Sequence, residues 1–166
     1  MHPPETVNQR RSFFKRKLLD PVLNFLKQGM TPSSLALAFS LGIVIAVIPI
    51  FGSTTLLCFA AVFFFRVNTA AIMLANYFVY PLQFVLFIPF IRIGEWIFNA
   101  PPLHLSVTEI FELVSSDPMN AVSDLWWSTL YALVAWCILA VPVCMLLYVG
   151  LKYLLAKIAE KFALTA

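Results

Sequence analysis

An all-α integral membrane protein is the fold class this sequence predicts, and three observations predict it. Of its 166 residues, 61% are hydrophobic and only 11% charged, where an ordinary soluble domain carries roughly 25% charged residues. Three blocks without a single charge follow one another, residues 35–65, 67–91 and 125–151. The basic residues crowd toward the ends of the chain, and the stretch 93–124 between the last two blocks contains no Lys or Arg. Water is not the main solvent of such a chain. Its length suits one compact domain, and no glycine- or serine-rich linker divides it.

Residues 1–30 form a basic, amphipathic segment. Phe14, Leu18, Val22 and Phe25 recur at helical spacing, while Arg10, Arg11, Lys15 and Lys17 occupy other faces. The pattern predicts an interfacial helix whose cations set topology and attract anionic lipid at about 1 kcal/mol each. No small-residue cleavage site follows, so the segment is expected to be retained rather than removed as a secretory signal. Thr31-Pro32 then supplies an N-cap and a proline at the first helical position.

The block 35–65 is awkward for a bilayer. A hydrocarbon core of about 30 Å takes about 20 helical residues; one straight helix here would run about 46 Å, and each half around residues 49–52 about 20 Å. Charge bias decides the threading. Arg10, Arg11, Lys15, Arg16, Lys17 and Lys27 precede the first block, and Lys152, Lys157 and Lys161 follow the last. By the positive-inside rule both termini are cytoplasmic and the connector faces out. A first block that enters, turns and returns leaves Arg66 inside and satisfies that bias. Pro49 breaks the helix, Gly52 allows positive φ, and Ser53, Thr54 and Thr55 bring hydroxyls to orphaned backbone groups. Either a re-entrant hairpin or a kinked pair of short, tilted spans meets these conditions.

The block 67–91 is expected to cross once, kinked or discontinuous, because Pro81 and Pro89 delete the bonds to the carbonyls of Tyr77 and Val85. Thr69, Asn76, Tyr80 and Gln83 share one stripe of its helical projection. The two carboxamides either bond to the hairpin or the last helix, as polar glue, or line a substrate path. Arg92 fits the outer end of this span only by snorkelling, and is placed to pair with Glu95 at i, i+3.

The acidic connector, residues 101–124, faces outward. Ser106 to Glu109 reads as a capping box for a short surface helix, and Asp117-Pro118 as the start of the helix that runs on into the last span. Trp96, Trp126 and Trp127 flank the connector as an interfacial belt, Tyr148 and Tyr153 mark the opposite surface, and Trp136 lies mid-span as packing. Residues 125–166 are the last span with a cytoplasmic tail, whose stripe Leu151, Leu154, Leu155, Ile158 and Phe162 predicts a second surface-lying segment.

No catalytic set is present. His104 stands apart from His2, no pair of histidines has ligand spacing, and no phosphate-binding glycine loop occurs. Cys58, Cys137 and Cys144 all lie in apolar segments and read as buried fillers, without disulfide or zinc. The spans are expected to carry no acid, hence no carboxylate proton relay. The sequence therefore predicts no enzyme, no cofactor, no metal and no nucleic-acid partner. Membrane lipids, a second copy of the chain or another membrane protein are the expected partners.

The order Gly29-Met30-Thr31-Pro32, Ala38-Phe39-Ser40-Leu41-Gly42, Ile48-Pro49-Ile50-Phe51-Gly52-Ser53-Thr54-Thr55, Phe65-Arg66-Val67-Asn68, Tyr80-Pro81-Leu82-Gln83 and Arg92-Ile93-Gly94-Glu95 resembles the bacterial membrane family catalogued as domain of unknown function 2062. The resemblance covers about residues 28–100, with the last span as an alternative extension of it. Many members have Asn where this chain has Tyr80. It implies a bacterial inner-membrane location, with the two proline-bearing segments as the core, and brings no settled activity. Two functions are expected from the residues: a transporter or scramblase of a lipid or amphiphile, or a membrane scaffold or accessory subunit. On the first, Pro49, Gly52, Thr54, Thr55, Arg66, Asn68, Asn76, Tyr80, Gln83, Arg92 and Glu95 mark the substrate path.

Overall fold

The computed structural model describes residues 20–101 and 118–163, and every regular element among them is a helix. These are α1 (Asp20–Lys27), α2 (Pro32–Ala46), α3 (Thr54–Phe65), α4 (Thr69–Phe98) and α5 (Pro118–Ala163). Phe14, Leu18 and the capping box at Ser106 lie outside the described residues, as does the side chain of Phe162.

The helix starts follow their local chemistry. Thr31 Oγ1 accepts from the Ser34 amide at 3.2 Å, with Pro32 opening α2. Asn68 Oδ1 accepts from the Ala71 amide at 3.0 Å and opens α4. Only three residues separate α3 from α4, and Arg66 makes that turn in the left-handed region at φ 51°. An L-residue with a Cβ costs roughly 1 kcal/mol there. Arg66→Gly is therefore expected to raise the melting temperature of the purified protein slightly; a fall would mean that the arginine side chain itself holds the turn.

Sequence offsets give the packing. Asn76 meets Gly42, 34 residues away, and Gln83 meets Ile48, 35 away, so α2 and α4 run parallel. The indole of Trp136 meets Val44, while Phe98 and Tyr131 pair at the other end of α4. Thus α5 runs antiparallel to both. α2 packs against both α4 and α5, which also pack on each other, and its buried residues include Ala36, Ala38, Ser40, Gly42 and Ala46. Such small residues let backbones approach where no hydrophobic driving force separates helix from lipid. A Cβ on Gly42 would lie 2.5 Å from the Ile72 carbonyl oxygen, and one on Gly94 would collide with the backbone of Tyr131.

The two apolar clusters lie at different heights. One gathers Leu35, Cys58, Val67, Ala71, Ile72 and Leu155 near the basic end; the other gathers Phe90, Ile91, Ala132 and Ala135 between α4 and α5. α4 and the stretch Trp126–Lys161 of α5 are long and apolar enough to cross a membrane. Only 28% and 11% of their most apolar windows are buried, unlike the core helix of a soluble protein. These two helices fit membrane association. α2 and α3, with 15 and 12 residues, reach only about 22 and 18 Å.

Four expectations are narrowed or corrected. Of the two forms expected for α4 the discontinuous one is excluded, since one helix of 30 residues runs through Pro81 and Pro89; each proline deletes a single bond, and packing on α2 and α5 holds the remaining turns. The helix also continues past residue 91 to an Asn99 cap, which brings Glu95 into α4 at 5% exposure, so this apolar helix does carry an acid. Cys137 is exposed rather than buried. The apolar stripe after residue 151 is no separate segment, since α5 runs on and packs Leu155 beside Val22 of α1.

Candidate functional site

Among the described residues, the break between α2 and α3, residues 47–53, is the longest departure from helix. Pro49 has no N–H, and the Ile48 amide bonds to Ile45 at 3.2 Å instead of continuing the helix to Val44. The freed Val44 carbonyl accepts from the Trp136 indole at 3.1 Å. Beyond it, the Ile48 carbonyl accepts from Gln83 Nε2, and Asn76 Nδ2 donates to the Gly42 carbonyl at 3.5 Å. Gly52 turns the chain at φ 82°, and Ser53 Oγ donates to the Ile50 carbonyl at 2.9 Å. Three side chains from two neighbouring helices thus hold one end of α2.

Pro49, Asn76 and Gln83 are fully buried. Thr54 is buried at the first position of α3 and Thr55 half-buried. The tip is more open: Ile50 and Phe51 are exposed, and the Phe51 ring packs on Phe84 and Phe87, each at 5.2 Å. Phe87 leaves 11 residues of α4, about 16 Å, to run to Phe98. The tip therefore stops well short of the far end. Each carboxamide is half satisfied, because Asn76 Oδ1 and Gln83 Oε1 are buried without a partner.

The residues expected on one path occupy three places. Pro49, Gly52, Thr54, Thr55, Asn76 and Gln83 surround the break, with Tyr80 half-buried and edge-on to Phe84 at 6.2 Å. Arg66 and Asn68 form the turn at the basic end, where Arg66 is exposed and Asn68 caps α4. Arg92 and Glu95 pair at 3.0 Å near the opposite end. An apolar groove of about 300 Å³, lined by residues such as Phe39, Leu74, Phe78, Leu151 and Ile158, lies between α1, α2, α4 and α5. An open cavity of about 370 Å³ lies at the end of α4 among Arg92, Glu95, Trp96, Asn99 and Ala100.

Two kinds of residue escaped the sequence reading. From the sequence Trp136 reads as packing alone, though a tryptophan deep in an apolar helix needs an acceptor and a broken helix nearby offers one. Gly42 and Gly94 set helix contact distances; the small residues spaced along α2 were the available signal for the first.

A family model described as "Uncharacterized protein conserved in bacteria (DUF2062)" matches residues 14–162, which takes in residues 28–100 and the long last helix. No curated protein and no solved structure matches the chain.

Proposed function

The chain belongs to the bacterial family DUF2062, and from that premise we propose a multi-pass protein of the inner membrane, with both termini cytoplasmic, that transports or scrambles a lipid or other amphiphile. The observation that carries the reading is the break at residues 47–53, set part-way along α4 with its tip partly exposed. Irregular backbone at membrane depth is tolerated only against protein or a wet cavity, and interrupted helices build midplane sites in transporters. α2 and α3 are each too short to span, which favours a re-entrant pair. The continuity of α4 leaves one broken segment rather than two facing each other. That favours a path along the lipid-facing side over an enclosed pore, and the scarcity of polar surface favours an amphiphile over an ion or sugar.

Purified protein in liposomes is expected to move labelled phospholipid or polyprenyl phosphate faster than empty vesicles do; equal rates would end this reading. On a cysteine-free background, Arg66→Cys should label from the cytoplasm and Thr108→Cys from outside. Ser53→Cys should be protected, or reached from the cytoplasm alone. Labelling of Arg66→Cys from outside would mean a single crossing by the first block and no hairpin.

A scaffold or accessory subunit without enzymatic activity of its own is the second reading, and one observation favours it. Asn76 and Gln83 donate to backbone of α2 and its break, which is packing. The exposed α3 face of Leu56, Phe59, Phe63 and Phe64 would then dock a second copy or another membrane protein. In that case Asn76→Ala and Gln83→Ala weaken assembly or stability and leave no transport to lose.

A further inference from the structure

We propose that the cavity at the C-terminal end of α4 is a headgroup site for a zwitterionic phospholipid, one whose phosphodiester bears a primary ammonium. The inference deepens the transport reading by naming a lipid class, and rests on it for the membrane setting.

Two opposite charges line this open cavity, and they are unequally placed. The Glu95 side chain is 6% exposed and that of Arg92 47%, with Arg92 Nη1 3.0 Å from Glu95 Oε2. An i, i+3 pair serving helix stability alone works at the surface, without sinking its acid. Glu95 has a further interaction besides Arg92, and a carboxylate with about four acceptor positions still has room for a cation beside those partners. Arg92 uses one of its five N–H donors on Glu95, and its exposed fork suits phosphate oxygens.

The surroundings favour an ammonium beside Glu95. α4 ends here, so its last carbonyls present the negative end of the helix dipole. The Asn99 amide bonds back to the Glu95 and Trp96 carbonyls, and the Ala100 amide to Glu95 at 3.0 Å, which fixes the backbone around the cavity. Trp96, 80% exposed at the rim, offers a ring face to a cation. A headgroup of phosphate and uncharged glycerol would set only negative charge against Glu95 and the dipole, and a bare cation would meet Arg92. A zwitterion answers both signs. The depth fits as well: Phe98 packs on Tyr131 at 5.1 Å and Trp127 on Tyr131 at 6.5 Å, an aromatic belt of the kind found at headgroup level.

The test is native mass spectrometry of the purified full-length protein, released from detergent with phosphatidylethanolamine or phosphatidylglycerol, and separately with free phosphoethanolamine. Wild type should retain phosphatidylethanolamine about tenfold or more over phosphatidylglycerol, the scale of one charge-assisted contact. Arg92→Gln should lose most retention of phosphatidylethanolamine, and Glu95→Gln should erase the preference between the lipids. Equal retention of both lipids by wild type, or undiminished retention of phosphatidylethanolamine by Arg92→Gln, would overturn the site; Arg92 is exposed, so this arm stands even if Glu95→Gln does not fold. Displacement of the lipid by excess free phosphoethanolamine supports headgroup recognition, whereas retention of the free compound as tight as that of the lipid would overturn a lipid site. Selective binding without liposome transport would end the transport reading and leave this site; transport without selectivity would end the site alone.

Discussion

Replacing Gly42 by valine is expected to abolish the native packing of α2 on α4. The β-carbon of alanine already falls 2.5 Å from the Ile72 carbonyl oxygen and 2.9 Å from the Ala75 β-carbon, so backbone must move against backbone. Overpacking of this kind costs roughly 1–3 kcal/mol for a small group. Gly42→Ala should therefore melt well below wild type in detergent, and Gly42→Val should fail to yield a monodisperse protein. Gly94→Ala should behave like Gly42→Ala, because it meets Tyr131 backbone. Gly150 supplies the control. Nothing lies within 4 Å of a β-carbon there, and alanine in an exposed helix interior stabilises by about 1 kcal/mol over glycine. If Gly42→Ala melts with wild type while Gly150→Ala shifts as stated, α2 and α4 do not approach as described.

The second large effect is expected at Gln83. Gln83→Leu keeps the bulk of the side chain and removes the donor to the Ile48 carbonyl, leaving a buried acceptor unsatisfied at roughly 1–3 kcal/mol. The loss is reduced because the same change deletes the unpartnered Oε1. Trp136→Phe removes the donor to Val44 on the same length of chain. Two donors holding one helix end should couple, so the double variant is expected to depart from the sum of the single ones by 0.5 kcal/mol or more, that being roughly the lower bound for contacting sites. Additive melting shifts would show that the two bonds act independently.

The parts of the fold legible in the sequence are those set by local chemistry. Thr31-Pro32 opens α2, Pro49 and Gly52 mark the break, and Asn76 and Gln83 bond to the first block. Each follows from a missing N–H, a needed positive φ or a polar group that must find a partner. What was not legible depends on neighbours distant in the chain. Pro81 and Pro89 look like breaks until α2 and α5 are packed beside them. Arg92 and Glu95 are legible as an i, i+3 pair, but that the pair continues the apolar helix with Glu95 buried depends on α5 packed against Gly94. The use of Trp136 could not be seen before Val44 was placed beside it.

The bundle also changes thickness along its length. Near the basic end α2, α3, α4 and α5 lie side by side, whereas past the Phe51 contacts with Phe84 and Phe87 only α4 and α5 continue among the described residues. With helices about 10 Å across, the proposed orientation displaces about twice as much lipid area from the cytoplasmic leaflet as from the outer one. The described residues then form a wedge, and insertion is expected to depend on curvature. In small vesicles, where the outer leaflet is the more expanded, reconstitution should be directional, with the thick basic end facing out and the acidic connector in the lumen.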